Sequence, residues 1–140
     1  MKVRMAAELA EIIQRQALAQ RPAECCGLLV GTCDGGLVTV REVHSSVNTW
    51  EGDHARRFQI DPQLQLRLQR ECRERRLDII GSYHSHPQGQ AQPSATDAEM
   101  AWPDLIYLIV AFRDEHPDEM RCWQFDEVSR SFQEVELQVE

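Results

Sequence analysis

A chain of 140 residues has room for one domain with a single hydrophobic core of useful size. Its 42% apolar and 27% charged residues are ordinary for a soluble globular protein. The formal charge of −8, from 15 basic and 23 acidic side chains, sets nucleic acid aside as the main partner, because backbone phosphates would be repelled.

Residues from about Val3 to Gln20 read as a helix, with Met5, Leu9, Ile12, Ile13 and Ala17 spaced three or four apart. Arg21-Pro22 ends it, since proline disfavours helical geometry in the residue before it. Cys26 to Gly31 and Leu37 to Val43 read as strands joined by the turn Asp34-Gly35-Gly36. His44 to Ala55 has no clear period and reads as a loop, long enough to be considered as a flap. Arg57 to Ile60 reads as a short strand. Asp61-Pro62 then opens a helix, an N-cap followed by proline at the first helical position. That helix runs to about Arg76 with Leu64, Leu68 and Cys72 on one face.

Leu77 to His84 reads as a strand, apolar at first and polar where it meets the histidines. Pro93-Ser94 opens a short helix. Leu105 to Phe112 is the strongest buried-strand candidate, followed by a turn over Asp114 to Asp118. Met120 to Phe125 and Phe132 to Val139 complete a terminal hairpin. No repeat or linker divides the chain, so residues 1–140 are expected to form one α/β domain.

The longest apolar run, Leu105 to Phe112, is eight residues and far too short to cross a bilayer. Met1 to Glu11 carries Glu8 and Glu11 where a signal peptide needs an apolar stretch, so a cytoplasmic protein without a membrane partner is expected. The five cysteines, Cys25, Cys26, Cys33, Cys72 and Cys122, include no C-x-x-C pair. Reduced, mostly buried thiols are the expectation. Arg56-Arg57 and Arg73 to Arg76 read as solvated surface charge. The pattern carries no signal for an oligomeric state.

The chemistry concentrates in His84-Ser85-His86-Pro87 and Pro93-Ser94-Ala95-Thr96-Asp97. On a strand, positions i and i+2 share a face, so His84 and His86 can aim at one ion. Asp97, after a gap of ten residues from His86, adds a carboxylate. Zinc accepts imidazole nitrogen and carboxylate oxygen, and three protein ligands leave a fourth position for water, which is the arrangement of a hydrolase. Iron, cobalt and manganese also accept this donor set. Ser94 reads equally as a plain helix cap and as a donor to the oxygen that becomes negative when a carbonyl is attacked. Asp97 falls at the third helical position, where a negative charge favours the helix dipole. A general base is also needed, and Glu8, Glu24, Glu51, Asp53 and Glu99 are all candidates by local sequence. Glu24 directly precedes a buried strand. Trp50, Trp102 and Trp123 read as packing residues or as walls of a groove for a glycine-rich tail.

Taken together, the histidine pair, Pro93-Ser94 and Asp97, with Glu24 in Pro22-Ala23-Glu24-Cys25-Cys26-Gly27, resemble the MPN/JAMM (JAB-domain) metallopeptidase family. Arg57-Phe58-Gln59-Ile60-Asp61-Pro62 and Ile79-Ile80-Gly81 extend the likeness, which covers about Met1 to Phe125. The resemblance implies a single MPN/JAMM domain, a mixed β-sheet flanked by helices with cytidine-deaminase-like layering. It implies one zinc per chain held by His84, His86 and Asp97, with Glu24 as general acid/base and Ser94 steadying the tetrahedral intermediate. It further implies hydrolysis of a peptide or isopeptide bond after the C-terminal glycine tail of a ubiquitin-like partner. The compact length is similar to the small bacterial stand-alone members that process sulfur-carrier proteins. The other class in view is a metal-containing module that binds such a tail, or a partner subunit, without turnover.

Overall fold

The computed structural model describes residues Met1–Glu140. Seven strands and three helices follow one another as β1 (Lys2–Met5), α1 (Ala7–Gln20), β2 (Cys26–Asp34), β3 (Leu37–Ser46), α2 (Pro62–Arg75), β4 (Asp78–His86), α3 (Ala95–Glu99), β5 (Ile106–Arg113), β6 (His116–Asp126) and β7 (Ser131–Val139). The expected mixed sheet is present, and it closes on itself in the order β1-β3-β2-β4-β5-β6-β7. β1 pairs in parallel with both β3 and β7, and β4 with β5, while the other neighbours are antiparallel.

Closure explains the main departure from the sequence reading. Val3 to Met5 was expected to begin the first helix, but Lys2–Met5 is a strand and the helix starts at Ala7. Val3 and Met5, two apart, are buried while Arg4 between them is exposed. That is strand alternation, and it was masked because Met5 and Leu9 also satisfy a helical spacing. β1 lies between two sheet ends, so its backbone groups are paired on both sides.

Other boundaries move less. Arg57 to Ile60 forms no strand; Ile60 alone makes a bridge, to Asn48. His44 to Ser46 is the end of β3 rather than loop, because these residues pair with Cys26, Gly27 and Leu28. The turn after β5 is tighter than Asp114 to Asp118, since β6 begins at His116 and Asp114 and Glu115 both take positive φ. Gly35 and Gly36 do the same at the β2–β3 turn, with φ of +58° and +85°, the conformation of a two-residue hairpin loop.

β2 sorts its side chains onto two cores. Leu29 joins Val3, Met5, Ile13, Tyr83 and Leu108 in the main cluster, where α1 contributes Ala10, Ile13 and Ala17. Leu28 and Val30 face the other way, onto Leu64, Leu68 and Cys72 of α2. Each fully buried aliphatic side chain contributes about 1.5–3 kcal/mol relative to exposure. α2 starts as expected: Asp61 Oδ1 accepts from Gln63 N at 3.0 Å and Pro62 opens the first turn. The Cys25, Cys26, Cys72 and Cys122 thiols are buried and Cys33 is exposed, all unbridged. No helix is long and apolar enough to cross a membrane.

Candidate metal centre

β4 and β5 run parallel, joined by a crossover that contains α3. Crevices beyond the carboxyl ends of parallel strands are where α/β sheets place their ligands. Here β4 ends in His84, Ser85 and His86. The antiparallel neighbour β2 begins at the same end, with Cys26 opposite His84. Glu24, two residues upstream, is thereby brought beside the histidines. Its own N–H donates to His54 O at 2.7 Å, which ties the loop before α2 to this corner.

Ser85 is buried between the histidines and points away from them. Its Oγ accepts from Cys25 N at 2.8 Å. α3 supplies the third group. Ser94 Oγ accepts from Asp97 N at 3.1 Å, and Asp97 Oδ2 accepts from Ser94 N at 2.8 Å, a reciprocal capping box. The box fixes the Asp97 carboxylate, which stands 3.3 Å from His84 Nε2 and 3.3 Å from His86 Nε2. The two ring nitrogens are 3.0 Å apart.

A carbonyl can only accept, so His86 Nδ1 must donate to Gln90 O at 2.8 Å. In the neutral ring Nε2 then presents a lone pair to the centre, the device by which metal-bound histidines are oriented. His84 is 1% exposed, and Phe58 stacks on its ring at 4.4 Å between centroids and 25° between planes. The three prospective ligand atoms thus form a triangle with edges of 3.0, 3.3 and 3.3 Å. Ligands of a tetrahedral ion bonded at ~2.0–2.2 Å lie roughly 3.3–3.6 Å from one another; the two edges to Asp97 match that spacing and the edge between the imidazoles is shorter, so the donor set fits zinc in chemistry and comes close in spacing. Glu24 also lies within reach, its carboxylate and the two imidazoles falling within 4.8 Å of one another. Asp97 is the closer carboxylate to the nitrogens, leaving Glu24 at the distance of a group that reaches a bound water.

Electrostatics separates the two carboxyls. Burial pushes Glu24 up to about 7, with His86 pulling it down and Asp97 pushing it further up. Burial acts the same way on Asp97, but hydrogen bonds from His84 and His86 outweigh it and hold that carboxylate well below the ordinary range. Burial lowers His84. For His86, burial is outweighed by Asp97 and Gln90 O, and the imidazole is raised. Two carboxyls whose pKa values are driven apart take different chemical roles.

A cleft of about 290 Å³ opens on the His84 and Asp97 side, walled by Phe58, Ile60, Met100, Trp102 and Tyr107. Met100 and Trp102 are 60% and 68% exposed. Of the three tryptophans Trp102 alone lines this cleft. Trp50 lies under the Arg57 guanidinium, and Trp123 Nε1 donates to Ala91 O at 2.9 Å, holding the loop that returns to Asp97.

The structure therefore gathers Glu24, His84, His86, Ser94 and Asp97 at one corner. Glu8, Glu51, Asp53 and Glu99, which local sequence left open as bases, are outside the group that Glu24 forms with His84 and His86. Sequence reasoning did not single out Ser85, Gln90 or Phe58. Ser85 was legible in principle, because the residue between two same-face histidines must face the neighbouring element.

The family described as prokaryotic homologs of the JAB domain matches residues 6–126. A desampylase from Haloferax volcanii is 36% identical over 94 residues, spanning 66% of this chain and 66% of that protein. A CysO-cysteine peptidase from Mycobacterium tuberculosis is 30% identical over 119 residues, 84% of this chain and 79% of that protein. A solution structure of a protein from Desulfitobacterium hafniense superposes with a TM-score of 0.84 at 28% identity, over 99% of this chain and 92% of the other.

Proposed function

The chain belongs to the prokaryotic branch of the JAB-domain family, a group of peptidase-type hydrolases, and on that premise we propose that it is a zinc peptidase acting on a ubiquitin-like partner. The bond hydrolysed is the amide that follows the partner's C-terminal glycine tail, and the partner is of the sulfur-carrier kind. The observation that carries this reading is the close triangle of His84, His86 and Asp97 ligand atoms, with the Glu24 carboxyl, raised by burial to about 7, beside it. The names of the relatives support an amide-hydrolysing activity on such partners. The single JAB-type domain would work in the cytoplasm, with neither nucleic acid nor a membrane as partner.

His84, His86 and Asp97 would hold the zinc. When bound, it lowers the pKa of a coordinated water to ~7 and polarises the scissile carbonyl. Glu24, with its pKa near 7, takes a proton from the attacking water and passes it to the departing amine. A carboxyl at the ordinary value of 4.5 would be a poor donor at neutral pH; burial makes Glu24 a competent one. Ser94 Oγ already accepts from Asp97 N, so its own O–H stays available to donate to the oxygen that gains charge. The two roles that local sequence left in competition for Ser94 are compatible. The cleft beside His84 and Asp97 would take the glycine tail, with Trp102 and Met100 as its exposed wall.

The test is a ubiquitin-like sulfur carrier bearing a short C-terminal extension, assayed with metal-loaded, chelator-treated and zinc-restored protein. Removal of the extension that stops on chelation and returns with zinc supports the reading. Cleavage unaffected by chelation would overturn it.

A further inference from the structure

The two histidines are held by different means. His86 Nδ1 donates to Gln90 O at 2.8 Å, which fixes the plane of its ring. His84 Nδ1 is buried and has no hydrogen-bond partner. A metal-binding imidazole ordinarily spends its second nitrogen on a carbonyl or carboxylate, and that bond sets the ring's orientation. His84 has instead the face of Phe58, stacked at 4.4 Å between centroids and 25° between planes. The aromatic ring takes over the orienting task.

Phe58 must itself be fixed, and it belongs to no helix or strand. One side chain holds the backbone on both sides of it. Asn48 Nδ2 donates to Arg57 O at 3.0 Å, and Asn48 Oδ1 accepts from Gln59 N at 3.0 Å. The same oxygen accepts from Trp50 N at 3.1 Å. A carbonyl only accepts and a backbone N–H only donates, so these contacts leave the amide a single orientation. Asn48 thus behaves as an inserted peptide unit that bridges the chain before and after Phe58.

The bridge stands on a firm base. Thr49 N and Oγ1 both donate to Gln59 O, at 3.0 and 3.1 Å. Asn48 forms a β-bridge with Ile60, and Ser46 Oγ accepts from Asp61 N at 2.9 Å, so the segment is anchored on the end of β3. β3 pairs with β2, and β2 with β4, which carries His84. The other hold on this segment is weaker. The Arg57 guanidinium is 3.9 Å from the exposed Glu99 carboxylate, a separation at which solvent screening leaves little.

On the premise of the zinc site in the peptidase reading above, we propose that Asn48 is a positioning residue for the ligand His84, acting through the Phe58 ring that its amide holds in place. The role needs a donor and an acceptor at one reach from the backbone. Aspartate lacks the donor for Arg57 O, and glutamine is a methylene too long.

The experiment measures two quantities on the full chain: zinc affinity by chelator competition, and the His84 ring-proton shifts of the metal-free protein by NMR. Phe58→Leu keeps an apolar side chain and removes the ring, Phe58→Tyr restores the ring, and Asn48→Asp keeps the acceptor and loses the donor. Phe58→Leu and Asn48→Asp are each expected to weaken zinc binding about tenfold. Both are expected to move the His84 ring protons toward values free of the Phe58 ring current, and Phe58→Tyr to match wild type in both quantities. Because Asn48 acts through Phe58, the double variant is expected to bind zinc no more weakly than Phe58→Leu alone. Additive losses, the signature of independent structural damage, would overturn the proposal, as would wild-type affinity in Phe58→Leu. Should Asn48→Asp not fold, Asn48→Ser takes its place in the cycle. Neither quantity needs turnover. The expected losses in a chain that cleaves no carrier would uphold the role of Asn48 and overturn the peptidase reading alone, whereas a chain that binds no zinc would overturn both.

Discussion

Cys25 N–H donates to Ser85 Oγ at 2.8 Å, and Ser85 N–H donates in return to Cys25 O at 3.1 Å. The first residue follows Glu24 and the second separates the two histidines. One buried reciprocal contact thus sets the distance between the prospective acid/base and the prospective zinc ligands. Ser85→Ala leaves a buried N–H without its partner, which costs about 1–3 kcal/mol. The expected outcome is a lowered midpoint in urea and a lowered kcat, with zinc stoichiometry retained. Unchanged kcat would show that the contact positions nothing.

The raised Glu24 pKa has a consequence for the metal-free protein. Folded Glu24 holds its proton up to about pH 7, whereas the unfolded carboxyl releases it at the ordinary value of 4.5. The folded state binds more protons between those limits. The stability this group contributes is complete below the unfolded value and is lost as pH rises through the folded one. Glu24→Gln removes the penalty and is expected to be more stable than wild type at pH 8 by roughly 1–3 kcal/mol in the absence of metal. Urea titrations of both proteins at pH 4.5 and pH 8 test this, and parallel pH profiles would contradict it.

Asp97 serves the α3 cap and the metal triangle at once, and the two can be separated. In Asp97→Asn the side-chain oxygen can still accept from Ser94 N, so the helix start survives. The loss of charge is expected to weaken zinc binding by ~100-fold or more and also to lower the metal-free midpoint at neutral pH, because the ionised carboxylate that His84 and His86 stabilise is gone. Competition with a colorimetric chelator reads the first quantity and urea titration the second.

Trp102 is 68% exposed and lines the tail cleft. Trp102→Ala is expected to raise KM for a ubiquitin-like substrate by roughly tenfold, the effect of removing an aromatic anchor, with little change in kcat or stability. An unchanged KM would move the tail elsewhere.

The site was more legible in the sequence than the sheet around it. His84, His86 and Asp97 stand out by their spacing and Glu24 by family likeness alone, and the fold brings all four together. β1 was hidden because four residues with two apolar positions fit either period, and only pairing with the distant β3 and β7 decides between them. Closure into a barrel was hidden for the same reason, being a long-range property. The close approach of β4 and β5 left a trace in Gly81, where a Cβ would stand 2.0 Å from Ile106 O. Local sequence shows the glycine but not the strand it must admit. Phe58 and Gln90 act on His84 and His86 through contacts that no spacing rule encodes. The turn over Asp114 to Asp118 was read as longer than it is because Asp114-Glu115 lacks the asparagine and glycine that usually mark positive φ.

The most direct test of the central claim compares wild type with Glu24→Gln, both loaded with zinc to the same measured stoichiometry. Each is incubated with an extended ubiquitin-like sulfur carrier, and intact mass is recorded over time. The account predicts loss of the extension with wild type and a rate lower by ~100-fold or more for the variant. Equal rates would contradict the role of Glu24, and an unprocessed carrier with both would favour a tail-binding module over an enzyme.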